Sequence, residues 1–171
     1  YLMIELTKAQ KKFKEKWMNP LNFSIYFLIN VPMVWISGMK LIEFSEKKCI
    51  SFLPFRWYYR WQNMNPFKSM YFAVQCMGAE ISTASLCALS VKGINPSIAF
   101  IVTKMNSKYF KKATGNITFT CEGGEEVFEA VNKAIKTKKG VEVDLKTIGT
   151  LSDGTIVSEF CFTWSFKQRD K

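Results

Sequence analysis

At 171 residues the chain is long enough for one domain with its own core and too short for two of ordinary size, and 48% apolar with 22% charged residues excludes a disordered chain. It contains no histidine, which excludes a Ser-His-Asp triad, a Cys-His pair and a His-ligated metal; any catalysis must rest on carboxylate, Tyr, Lys, Cys or backbone dipoles. A net charge of +10 favours anionic partners, without choosing among nucleic acid, an anionic membrane and phosphate-bearing small molecules.

Residues 5–17 set Leu6, Phe13 and Trp17 among lysines and predict a surface helix ended near Asn19-Pro20. Residues 21–38 are apolar, but Asn22, Asn30 and Pro32 interrupt them before the roughly twenty residues a span needs. They predict a helix packed on the core and no membrane span. From Ser37 to Phe55 the pattern turns to a hairpin, ended by Pro54. Residues 56–63, RWYYRWQN, have the basic and aromatic composition of a base-stacking platform, and equally that of an edge segment with its aromatics packed inward.

Residues 69–90 read as the longest helix, with Ser69 as N-cap and apolar or small residues on every face, which predicts burial on all sides. A long strand follows, ending near Phe110, then an alternating strand with Ile117, Phe119 and Cys121 on one face. Residues 124–140 form an amphipathic helix with Val127, Val131, Ala134 and Ile135 on one stripe. Two more strands are joined through Ser152-Asp153-Gly154. The five cysteines show no CxxC spacing and read as reduced core residues of a cytoplasmic protein, with no structural metal. The fold class expected is α+β: helices over 1–36, and a sheet curled around a central helix, with one extra outer helix, over 37–171.

One carboxylate, Glu80, stands in the buried helix, with Ala73, Cys76, Met77, Thr83 and Ala84 as its helical neighbours. Such a group either has a raised pKa suited to general-base or nucleophilic work, or meets a cation across an interface. The free amides at the start of that helix, around Met70 to Ala73, make a place where negative charge is stabilised. Asn65 lies at the turn before it, and Tyr71 stands one residue inside.

Asn65, then Tyr71-Phe72-Ala73, then Glu80 resembles the motif of hotdog-fold acyl-CoA thioesterases of the phenylacetate-pathway type. In those enzymes an Asn precedes a His-Gly-Gly helix start and an acid follows inside the central helix. The order of elements is similar to the hotdog over residues 37–167, and the helical 1–36 extension is like that of an uncharacterised, domain-of-unknown-function branch. The resemblance implies Glu80 as the catalytic carboxylate, Asn65 as the loop brace, Tyr71 in place of the usual His, and the Phe72 and Ala73 amides as oxyanion donors. It also implies a homodimer or tetramer whose site lies between two subunits, with Met77 and Thr83 near the substrate and Thr103 on the long strand completing the other subunit's site. Lys104, Lys108, Lys111 and Arg60 are candidates for coenzyme A phosphates.

Three functions are therefore compared. The first is hydrolysis of an acyl-CoA or acyl-carrier thioester by a carboxylate, without metal and with coenzyme A only as part of the substrate. The second is a non-catalytic hotdog holding a fatty acyl or aromatic acid. The third, nucleic-acid binding through 56–63, ranks last.

Overall fold

Buried and less buried residues alternate along the runs Cys49–Leu53, Ile117–Cys121 and Ile156–Gln168, and these pair with three further strands into a single antiparallel sheet. The structure, a computed structural model, describes residues 4–55 and 61–169. Three helices come first. Helix α1, Lys8–Met18, starts at Thr7 in a capping box: Gln10 N–H donates to Thr7 Oγ1 at 3.3 Å, and Thr7 N–H donates to Gln10 Oε1 at 2.9 Å. Asn19 then caps α2, Pro20–Asn30, accepting from the Leu21 and Asn22 amides. The one helix expected over 21–38 is in fact two. Pro32 has no N–H to continue the α2 ladder, so a short α3, Pro32–Ser37, starts there and ends at Gly38 with φ 71°.

Strands β1, Lys40–Phe44, and β2, Cys49–Leu53, form the expected hairpin. Helix α4, Phe72–Ser90, follows, then β3, Ile98–Tyr109, and β4, Ile117–Cys121; α5, Gly124–Thr137, precedes the hairpin of β5, Val141–Leu151, and β6, Ile156–Gln168. The strand order is β1-β2-β4-β5-β6-β3. This sheet wraps α4, and α5 packs beside it against β5 and β6, so the fold is the hotdog.

The wrapping explains why α4 is apolar or small on nearly every side. Phe119, Phe160 and Phe166 are fully buried in the sheet's inner face, each contributing about 2 kcal/mol. Gly78 lets α4 approach closely: a Cβ there would lie 2.6 Å from Leu53 Cδ1 and 2.8 Å from the Phe119 ring, and the Ser51 hydroxyl donates to the Gly78 carbonyl at 2.6 Å. Leu6, Phe23, Phe27 and Val34 from the first helices join the same core. By length and composition α4 could cross a membrane, but it is the core helix of the sheet.

One irregularity positions the site. The β3–β6 register shifts between Val102 and Lys104, which makes Thr103 the extra residue of a bulge. Before it Phe100 and Val102 turn toward the core; after it Met105, Ser107 and Tyr109 turn toward α4. Among the described residues strand β3 is paired on one side only, so its other edge has no partner there.

Candidate active site

The segment ahead of α4 is held by backbone and amide bonds. Asn65 Oδ1 accepts from the Phe67 and Ser69 amides at 2.9 and 3.2 Å, and its Nδ2 donates to Ser69 Oγ at 3.0 Å, a closed Asx-type turn with Lys68 at φ 58°. Asn65 therefore braces the loop. Ser69 is spent in that brace and does not cap the helix, contrary to expectation. Asn63, which no spacing or composition signal sets apart in the sequence, is the deeper anchor. It is buried, its Nδ2 donates to the Ser37 and Pro54 carbonyls at 2.8 and 2.9 Å, and its own carbonyl accepts from Tyr71 N–H at 2.8 Å.

These contacts move the free amides. Met70 N–H donates to the Ala113 carbonyl at 2.8 Å and Tyr71 N–H to Asn63, so neither is available. Tyr71 is the N-cap itself, not a residue of the first turn, and its side chain makes no capping bond. Gln75 N–H makes the first helical bond, to the Tyr71 carbonyl at 3.1 Å. The amides of Phe72, Ala73 and Val74 are left without acceptors among the described residues, and they carry the positive end of a 19-residue helix dipole.

Phe72, Ala73, Cys76, Met77 and Glu80 follow one another down a single face of α4, and that face meets Met105, Ser107 and Tyr109 across a cleft of about 430 Å³. Phe72 stands at its mouth, edge-on to Tyr71 at 4.8 Å and to Tyr109 at 6.5 Å. Glu80 lies deeper, two helical turns from the free amides. Among the described residues its carboxylate makes no hydrogen bond and no ion pair, and burial pushes its pKa up to about 6. Cys76, one turn away, is held as a neutral thiol by burial and then by the charge of Glu80, which leaves it a poor nucleophile. Burial also raises the Tyr109 phenol, an effect that a hydrogen bond with Ser107 partly offsets.

Other candidates fall elsewhere. Thr83 is fully buried and spent: its hydroxyl donates to the Glu80 carbonyl at 2.9 Å and accepts from Trp164 Nε1 at 3.1 Å. Thr103, at the bulge, donates to Glu142 at 3.0 Å on the outer face, while Met105, Ser107 and Tyr109 are the residues of this strand that line this chain's own cleft. No sequence signal marked that change, because polar and apolar residues mix on both faces of β3. Lys104 and Lys108 stand on the side of β3 away from the cleft, near Lys146 and Glu159, and Lys111 reaches toward Asp153. Arg60 and most of the 56–63 segment lie outside the described residues. The five cysteines are free, and no three His, Cys, Asp or Glu side chains among the described residues converge as metal ligands.

Residues 21–166 match the family described as domain of unknown function DUF4442. Among solved structures, a protein of unknown function from Pseudomonas aeruginosa superposes with a TM-score of 0.73 at 17% identity, over 90% of this chain and 99% of its own. One from Chlorobaculum tepidum, also of unknown function, gives 0.71 at 15% identity over 90% and 99%. A thioesterase from Haemophilus influenzae gives 0.59 at 10% identity over 90% and 95%. No curated protein matches the sequence.

Proposed function

The chain belongs to the family of the domain of unknown function DUF4442, and from that premise we propose that it is a thioesterase-like hotdog protein that hydrolyses an acyl-CoA or acyl-carrier thioester. One observation carries the reading: an unpaired carboxylate, raised toward neutrality, lies in the same cleft as the uncapped start of α4. The similarity of fold to the Haemophilus influenzae thioesterase supports it.

The chemistry follows from the two ends of the cleft. The thioester carbonyl sits at the Phe72–Val74 amides, where the developing oxyanion meets N–H dipoles and the helix end. Glu80 takes a proton from water, and the hydroxide formed adds to the carbonyl carbon. Collapse of the tetrahedral species breaks the C–S bond, and the leaving thiolate takes the proton back from Glu80, giving a free acid and a free thiol. A direct attack by the Glu80 oxygen, followed by hydrolysis of the anhydride, uses the same residues. The histidine-free sequence leaves these steps to carboxylate and backbone. Coenzyme A enters only as part of the substrate.

The acyl-binding reading keeps one specific support. The Phe72 side chain occupies the helix start, where a glycine would give a thioester the closest approach, and Met77, Met105 and Tyr109 join it in the cleft walls. A panel of acyl-CoA thioesters separates the two. We expect release of free thiol from at least one member; saturable binding with no thiol released from any would replace hydrolysis by acyl binding.

A further inference from the structure

Residues 17–39 carry no charge, and the helices they form are only half covered by this chain. Helix α2 has two apolar stripes. Phe23 and Phe27 enter the core, while Leu21, Ile25, Leu28 and Ile29, spaced as one face of a helix, point out, with Leu21 68% and Ile29 72% exposed. Helix α3 continues the surface with Met33, Trp35 and Ile36, all exposed. A continuous apolar face of this kind on a folded domain marks a docking surface.

Its surroundings identify the occupant. The nearest charges on either side are Lys16, at the joint where α1 passes into α2, and Lys40, which shares the rim of one cavity with Trp35 and Ile36. Neither lysine makes an ion pair among the described residues. From residue 6 to residue 42 the lysines are Lys8, Lys11, Lys12, Lys14, Lys16 and Lys40, against a single acid, Glu15. Trp35 donates its indole N–H to Ser24 at 3.0 Å, and Tyr26 packs edge-on against Trp17 at 4.8 Å, so the exposed surface of these helices includes aromatic groups with polar tips. An apolar helical face flanked by Lys16 and Lys40 and carrying amphipathic aromatics fits the headgroup boundary of a bilayer. A second copy of the chain would instead bring like charges together. We propose that the α2–α3 face docks on an anionic lipid surface, lying in the interface without crossing it.

The test uses the full chain and sedimented vesicles, one set of pure phosphatidylcholine and one with about a third phosphatidylserine, enough to give a negative surface potential. We expect partitioning onto the anionic vesicles at least about tenfold above the neutral ones, weakened by high salt as screening requires. Ile29→Glu should lower it by about tenfold or more while the circular dichroism and melting temperature stay unchanged; Met33→Glu reads the same face if Ile29→Glu does not fold. Lys16→Glu with Lys40→Glu should remove the preference for the anionic set. No binding to either vesicle, or equal binding to both, overturns the proposal. A dimer that Ile29→Glu dissociates, without vesicle binding, overturns it in favour of a second copy. None of these readouts depends on thioester hydrolysis.

Discussion

Burial raises the Glu80 carboxyl from its ordinary 4.5 to about 6, with no hydrogen bond or ion pair among the described residues to offset it. Two consequences follow with opposite sign. As a base it must be ionised, so kcat/KM should rise with pH to a plateau above about 6, which a pH-rate profile on the best substrate checks. For stability, the folded state holds the proton more tightly than the unfolded state does. Between about 4.5 and 6 the folded chain therefore binds more protons, and raising the pH through that window costs up to about 2 kcal/mol, a loss that stays constant above it. Glu80→Gln should remove this dependence and unfold at a higher temperature than the parent at pH 7, by thermal melts at both ends of the window. A parent melting temperature that does not fall between pH 4.5 and 6 would contradict the burial argument.

Helix α4 shows what could and could not be read from the chain. That it is the central helix is visible in its all-round apolarity, and Glu80 stands out because so little around it is polar. Its start was misplaced because the groups that settle it, the Ala113 carbonyl and the Asn63 backbone, come from elsewhere in the fold and not from local capping chemistry. On β3 the bulge at Thr103 exchanges the two faces within one residue, and a mixed polar sequence fits either phase equally well. Gly78 belongs to the same scale. In an exposed helix Gly→Ala stabilises by about 1 kcal/mol, but here the new methyl meets Leu53 and Phe119 inside contact distance. We expect Gly78→Ala to destabilise the protein by about 1–3 kcal/mol in urea unfolding, and a gain in stability would mean that α4 sits further from the sheet.

For the whole molecule, the open edge of β3 and the cleft beside it make one problem. The strand is 12 residues long, its outer edge is unpaired among the described residues, and Ile101 and Phe110 are 65% and 55% exposed. Unprotected edges of that length invite pairing, and two copies joined edge to edge about a two-fold axis would cover both clefts at once. Light scattering should give a dimer, and Ile101→Lys should shift it toward monomer and lower turnover together; a monomeric parent with full activity would show that one chain suffices. Hydrolysis as proposed requires Glu80 and the amides of Phe72 to Val74 to act on one thioester. Its most direct test is kcat/KM for the best acyl-CoA with the parent and with Glu80→Gln, each shown by melting to be folded. We expect a loss of about 10²- to 10⁴-fold for the variant, as for removal of a positioned base; a variant within about threefold of the parent would contradict a catalytic Glu80.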